Sequence, residues 1–402
     1  MDAPSPGSSL LAARPRFPYP GLRPFEAEEW SIFFGRETMV DEVIDRLAQR
    51  RFVLIHGASG SGKSSLVRAG VLPKLARQHL RHGTAWLTCA MRPSGGPLWN
   101  LAAKFAQLEG REGDQARITD IIRLFNRRGA TLSKVVGSLA GVAGKRLCIL
   151  VDQFEELFRF ERETSREEAE LFIDLLVGEI PQATELDAEA DPDAAAEPGG
   201  QAGLLHIIIT MRSEFLGECA RFDGLAEVIN RTQYLVPRLS HPELLRAITR
   251  PAELYGGEVT AELADRLIAD VRGKPDELPL IQHGLMLFWH TATQSGGTAK
   301  VVLTAAMLDR AGGLAQLLSD HADRVMRAAA PDEPRKAAVE RLFRALTDIN
   351  AEGQAIRRPQ SFQDLSAVCG VPEGNLHAIL DVFRAEGVSF MRNRLVGNNS
   401  AR

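Results

Sequence analysis

Residues 52–65 read FVLIHGASGSGKSS, an apolar run that passes directly into a glycine- and serine-rich loop. An uninterrupted apolar run of this length, ended by glycine, predicts a strand buried on both faces, as in a parallel sheet. The segment from Gly57 to Ser64 fits G-x-x-x-x-G-K-[ST] in full, with the strand before it and helical spacing after it. Glycines let consecutive backbone N–H groups turn inward, and the helix N-terminus that follows adds a partial positive charge, so the loop predicts a phosphate cradle. Lys63 is expected on the β- and γ-phosphates and Ser64 on a magnesium ion. Ser65 and the amides of Ser59, Gly60, Ser61 and Gly62 complete the cradle. A Gly/Ser turn that binds nothing is the plain alternative, and the flanking strand and helix weigh against it.

Outward from this loop, strand-like stretches recur at residues 84–89, 147–152, 204–211 and 233–236, separated by helical or loop-like sequence. Alternating strands and helices predict an α/β fold with a parallel five-stranded sheet covered on both faces. Residues 147–152 end an apolar strand on Asp152, followed by Gln153, Phe154, Glu155 and Glu156. Hydrolysis of a terminal phosphate needs a carboxylate beside the metal and a group that orients water. Asp152 suits the first role and either Glu155 or Glu156 the second; the sequence leaves that choice open. The fourth strand delivers Arg212 at its C-terminal end, where it can read a γ-phosphate or simply pair with Glu214 or Glu218.

Length and composition bound the rest. The 402 residues exceed one typical domain, and 45% hydrophobic with 25% charged residues is ordinary for a globular chain. A net charge of −4 gives no general basic field for nucleic acid or an anionic membrane. Cys89, Cys148, Cys219 and Cys369 lie far apart, which predicts neither zinc nor a disulfide framework and suits a reducing compartment. With no signal segment and no long apolar run, the expectation is a cytoplasmic protein without membrane association.

Residues 1–16 are expected to form a disordered tail, 17–240 the nucleotide domain with a flexible acidic insertion at 183–203, 241–330 a helical domain, and 335–396 a winged helix. After Pro237 only helices are expected, over residues 242–254, 261–271, 278–293 and 304–327. In the last unit, SFQDLSAVCG, VPEG and NLHAILDVFRAEG predict a helix-turn-helix, with VSFMRNRLVG as its wing. Between Ser361 and Phe390, the acids Asp364, Glu373, Asp381 and Glu386 face one base, Arg384, which argues against phosphate contact and makes nucleic acid an unexpected partner.

Taken together, PYPGLRPFEAEE with FFGRE, GASGSGKSSLVRAGVLPKL, VDQFEELF, IIITMRSEFL and KPDELPLIQHGL resemble the blocks of the novel STAND NTPase 1 family, in that family's order and over about residues 17–395. The resemblance implies an ATP/ADP switch with magnesium that hydrolyses slowly and controls conformation or homo-oligomerisation in signalling, with bacterial defence or cell death as contexts. It implies Phe34, Gly35 and Arg36 near the adenine, Pro279 touching the nucleotide, and Arg212 as first sensor. For Phe33 a hydrophobic contact is the expected role. The family's winged-helix histidine has no counterpart in GVSFMRNRLVGNNSAR, and His377 is expected to be an exposed helix residue instead. The repeat sensors and effector units common in the family are not found in this sequence, and the expectation is a shortened form or a core that works with separate or missing sensor and effector domains. The competing function is a winged-helix DNA-binding ATPase.

Overall fold

A computed structural model describes residues 14–82, 86–142, 145–178, 205–273, 277–294, 300–349, 355–358 and 360–391. Residues 1–13 of the expected tail at 1–16, the acidic insertion at 183–203 and the part of the expected wing beyond residue 391 lie outside these. The chain divides into two compact units, one comprising Pro24–Ala247 and the other Phe17–Arg23 with Ile248–Arg394. The expected helical region from residue 248 onward and the expected winged helix up to residue 394 therefore fall within one unit, while residues 241–247 belong to the other.

In the first unit a 3-10 helix, Ala27–Ile32, precedes α1 (Glu37–Arg50) and β1 (Phe52–Gly57). Then come α2 (Lys63–Ser65), a π-helical segment (Leu66–Val71), α3 (Leu72–His82), β2 (Trp86–Met91), α4 (Pro97–Leu108), α5 (Gln115–Phe125) and α6 (Leu132–Gly137). The unit continues through β3 (Arg146–Val151), α7 (Glu155–Glu163), α8 (Arg166–Val177) and β4 (Leu205–Arg212). It ends with a 3-10 helix (Ser213–Arg221), α9 (Leu225–Thr232) and β5 (Gln233–Leu235). All five strands run parallel, in the order β2-β3-β4-β1-β5.

Alternation along the strands builds two cores. Phe52, Leu54, Ile149, Val151, Ile207 and Ile209 pack on one face of the sheet, while Val53, Ile55, Cys148, Leu150 and Ile208 pack on the other. Successive strand side chains point to opposite faces, so an apolar run with no polar alternation is what a sheet covered on both sides requires. The α/β class and the five-stranded parallel sheet read from the sequence are therefore present, with the second strand displaced to Trp86–Met91. The four cysteines are buried and free.

The second unit begins within α10 (His241–Leu254). It holds β6 (Glu258–Val259), α11 (Ala261–Val271), α12 (Glu277–Gln294), β7 (Val302–Leu303), α13 (Ala305–Ala311), α14 (Leu314–Ala329), α15 (Glu333–Ala345), β8 (Thr347–Ile349), β9 (Ala355–Arg357), α16 (Phe362–Cys369) and α17 (Glu373–Arg384). Two expectations need correction. The region expected to be helical only is not, because β6 pairs with β7 in parallel; β8 and β9 pair in antiparallel fashion within the expected winged-helix unit. Strands of two or three residues carry too few side chains to show a period. The single helix expected over 304–327 is two, broken where Gly312 and Gly313 take φ of +70° and +97°. Asp270 then accepts from the Leu314 N–H at the start of α14. The predicted helix-turn-helix corresponds to α16 and α17, joined at Gly370 in the left-handed region. His377 is exposed and stacks on Phe362 at 4.2 Å, as expected of a helix-surface residue.

No helix among the described residues is long and apolar enough to cross a membrane.

Candidate functional site

β1 and β3 are not neighbours; β4 lies between them. Their C-terminal ends deliver the phosphate loop from β1, Asp152 after β3, and Thr210 and Arg212 from β4 to one edge of the sheet. Gly60 and Gly62 hold φ of +70° and +84°, a region costly for any residue with a Cβ, and Gly62 caps the helix that starts at Lys63. A Cβ on Gly57 would meet the Ser61 hydroxyl at 3.0 Å. The loop thus has the curvature its glycine pattern predicts. Lys63 lies within it, Nζ donating to the carbonyls of Gly57 at 2.8 Å and Ala58 at 2.7 Å.

Asp152 is fully buried. Its Oδ1 accepts from Ser64 Oγ at 2.7 Å and Thr210 Oγ1 at 2.6 Å. Its Oδ2 takes Arg68 through Nε at 3.1 Å and through the NH2 nitrogen at 3.0 Å, with Arg92 at 3.5 Å. Burial works against the charge on this carboxyl. The Arg68 and Arg92 guanidinium groups and the Thr210 and Ser64 hydroxyls outweigh it, and Asp152 titrates below the ordinary carboxylate range.

Glu155 is the opposite case. Burial pushes its carboxyl above the ordinary range despite Arg212 and Lys63 nearby. Its Oε1 lies 3.5 Å from Arg212 Nε, and its Oε2 is buried with no hydrogen-bond partner among the described residues. Arg212 also lies 3.6 Å from Glu214, so the pairing anticipated with Glu214 is present, joined by one to Glu155. Between the two glutamates left open by the sequence, Glu155 is the one paired with Arg212. Among charged groups it is also the largest influence on Lys63, whose pKa is lowered chiefly by burial.

Arg36 is buried and donates to the Ser61 carbonyl at 2.7 Å, so it braces the loop from behind. Burial pulls its guanidinium down to about 10. Gly35, at φ +87°, has no room for a Cβ beside the Glu243 carbonyl. Phe34 is half-buried. Phe33 stacks edge-on against Phe25 at 5.3 Å, which agrees with a hydrophobic role. Ser65 Oγ accepts the Phe25 N–H at 3.2 Å and so ties the N-terminal segment to the loop helix. Pro279 sits in the first turn of α12 in the second unit, where a missing N–H breaks no helical bond. Glu156 is half-buried in the first turn of α7.

Sequence reading missed Thr210, Arg68, Arg92, Glu26 and His56. His56, whose Nδ1 lies 3.0 Å from Ser213 Oγ, is buried at the end of β1. The signal for Thr210 was present: a hydroxyl two residues before Arg212, inside an otherwise apolar strand.

Magnesium takes oxygen donors and keeps few protein ligands when phosphates supply the rest. The Ser64 hydroxyl and Asp152 carboxylate, touching each other at the phosphate loop, fit that donor set. Among the described residues no group of three or more His, Cys, Asp or Glu forms a self-sufficient metal cage.

A family model described as Novel STAND NTPase 1 matches residues 18–396. No curated protein matches the chain. Among solved structures, the Aeropyrum pernix ORC1 protein, described in complex with DNA, aligns with a TM-score of 0.50 at 14% identity, covering 92% of this chain and 87% of that one. The ORC2 protein of the same organism, described as ADPNP–ADP complexes, aligns with a TM-score of 0.47 at 14% identity, covering 87% and 93%. The likeness to ORC1 is one of fold.

Proposed function

The chain belongs to the novel STAND NTPase 1 family and is a P-loop NTPase, and from that premise we propose that it binds ATP with magnesium, hydrolyses it slowly, and uses the nucleotide state to set conformation or self-association. The observation that carries this reading is the convergence of Lys63, Ser64, Asp152, Glu155 and Arg212 at the ends of three adjacent strands. In it, the loop amides of residues 59–62 and Lys63 bind the phosphates, and Ser64 and Asp152 hold the metal. A bound magnesium ion supplies neutralisation of phosphate charge. Glu155 orients water: its Oε1 lies 3.5 Å from Arg212 Nε, its Oε2 is buried without a partner among the described residues, and a carboxylate there can accept a hydrogen bond from the nucleophile. Arg212, released from Glu155 and Glu214, reads the γ-phosphate. Phe34, Gly35, Arg36 and Pro279 are assigned to the nucleotide on the family resemblance, with Arg36 acting through Ser61.

Light scattering after size-exclusion chromatography, with ADP and then with a slowly hydrolysed ATP analogue plus magnesium, tests the switch. Mass is expected to rise with the analogue only. Lys63→Ala should weaken nucleotide binding at least about a hundredfold, because it removes the charge-assisted contact to two phosphates, and should abolish the rise. Undiminished binding by that variant defeats the assignment. Glu155→Gln should keep ATP bound and stop turnover, whereas Glu156→Gln should leave turnover within a few-fold.

DNA binding is the second reading, and one observation favours it. Arg341, Arg344 and Arg358 line a cleft of about 420 Å³ together with Asp364 beside α16. These bases come from α15 and the segment after β9 and lie outside the acidic stretch 361–390. Nucleic acid is thus not excluded by charge, although Arg341 is engaged with the Cys369 carbonyl and Arg344 with Glu340. Fluorescence anisotropy with a labelled duplex, repeated across salt concentrations, decides between the readings.

A further inference from the structure

Arg68 stands five residues after Lys63, on the π-helical turn between α2 and α3. A π turn shifts the side chains that follow it relative to a regular helix, and such turns gather at functional sites. Here it carries a guanidinium that touches two carboxylates at once. Its Nε and one terminal nitrogen meet Asp152 Oδ2, and its other terminal nitrogen meets Glu26 Oε2 at 2.7 Å. Glu26 is held in turn: its backbone N–H donates to Glu29, and the preceding residue, Phe25, donates to Ser65. The N-terminal segment, the phosphate-loop helix and the carboxylate after β3 are therefore linked through one side chain.

Asp152 has little acceptor capacity to spare. Two hydroxyls fill Oδ1 and the Arg68 fork fills Oδ2, with Arg92 close behind. A divalent cation at Ser64 and Asp152 has to share this carboxylate with a fixed positive charge about 3 Å from Oδ2. Like charges at such range oppose one another strongly where water is scarce, and Asp152 is fully buried. Glu26 draws part of the Arg68 charge the other way.

We propose that Arg68 is a positioning residue that sets the magnesium dependence of the nucleotide site by competing with the metal for Asp152, and that Glu26 weakens this competition by holding the far side of the guanidinium. The proposal rests on the nucleotide-site reading above. It makes opposite demands on two neighbouring residues. Removing Arg68 frees Oδ2 for the metal, so less magnesium is needed. Removing the Glu26 charge leaves Arg68 to Asp152 alone, so more is needed.

The test measures the affinity of the full chain for a fluorescent ADP across a magnesium titration, in wild type, Arg68→Gln, Arg68→Lys and Glu26→Gln. Relative to wild type, the magnesium midpoint should fall roughly three- to tenfold in Arg68→Gln and rise by a similar factor in Glu26→Gln, in line with one charge–charge interaction of partly buried groups. Arg68→Lys, which keeps the charge without the fork, should stay closer to wild type than Arg68→Gln. Affinity for the same ADP in excess chelator reports whether each variant is folded, and should be little changed. Midpoints unmoved in both Gln variants, or moved in the same direction, overturn the proposal; so does a rise in Arg68→Gln, which would make Arg68 a support for the metal. Should Arg68→Gln fail to fold, the upward shift in Glu26→Gln stands as the test, and its absence overturns the proposal. If wild type itself shows no magnesium-dependent nucleotide binding, the nucleotide-site reading fails and this proposal falls with it.

Discussion

The two units bury polar groups in opposite ways. Around Asp152 the first unit keeps charges and compensates them: one carboxylate, two guanidinium groups and two hydroxyls. In the second unit His283 of α12 and His321 of α14 share a hydrogen bond of 3.2 Å under the Phe390 ring, and His283 Nδ1 is buried with no partner among the described residues. Among the described residues no carboxylate compensates a charge there, so the pair is stable only when neutral. A buried polar group survives either by being fully paired or by staying uncharged. The first arrangement can respond to a bound cation, whereas the second responds to protons.

Breaking the compensated side should have the larger effect. Asp152→Asn sets an amide, with its own donors, against two hydroxyls and two cations that all need an acceptor. We expect a loss of about 3–4 kcal/mol in first-unit stability, held below the top of the range for buried pairs because Arg68 and Arg92 keep partial solvent access. Urea unfolding followed by hydrogen exchange in β1, β3 and β4 measures it.

The histidine side should break with acid. Burial, then His321 and then Arg324, push the His283 pKa down to about 4 from an ordinary 6.5, and burial, Arg324 and His290 lower that of His321. The unfolded chain therefore binds protons that the folded unit refuses. Stability is intact above pH 6.5 and falls as pH drops from there to 4, by about 2–3 kcal/mol for His283. Exchange in α12 and α14 should accelerate over that window, and His283→Gln should flatten the response.

A third contrast uses two glycines of like geometry. Gly62 and Gly312 have φ of +84° and +70°, so alanine at either should cost about 1–2 kcal/mol in backbone strain. Only Gly62→Ala should also weaken nucleotide binding, since of the two only Gly62 belongs to the proposed phosphate cradle. Equal nucleotide affinity in both variants would show that loop curvature is not what binds phosphate.

The units also differ in how much of each the sequence disclosed. β1, β3, β4 and the loop from Gly57 to Ser64 are written locally, in apolar runs and glycine grammar that need no knowledge of neighbours. Thr210, Arg68 and Arg92 escaped notice because their importance follows from β4 lying between β1 and β3, a matter of strand order that no local pattern encodes. Glu26 escaped for the same reason, lying forty-two residues from its partner. In the second unit the long helices were legible from their spacing. The short β6–β7 and β8–β9 pairs leave no periodic trace, whereas the Gly312–Gly313 dipeptide inside a helical run is a local sign of the break between α13 and α14. The proposed assignment of Glu155 over Glu156 rests on its pairing with Arg212, which is again a property of strand order.

The smallest expected effect concerns the N-terminal strap, Phe17–Arg23, which belongs to the second unit although the chain enters the first at Pro24. Tyr19 is buried and donates its hydroxyl to the Ile248 carbonyl at 2.6 Å, with its ring 6.4 Å from Trp289; burial raises its pKa, so the hydroxyl stays a donor. Gly21 packs against Met286 and Phe17 against His290, so the strap has several anchors besides this bond. Tyr19→Phe removes the hydroxyl and keeps the ring, and should cost about 1 kcal/mol, the net worth of one neutral hydrogen bond. The loss should appear as faster exchange in α10 beyond Ile248 and in α12, with first-unit stability unchanged. Nucleotide affinity is the sharper readout. Because Pro24 and Phe25 follow the strap directly and Phe25 is tied to Ser65, a strap that merely stabilises the second unit leaves ADP affinity unmoved, while one that also holds Phe25 in place shifts it together with the Ser65 contact.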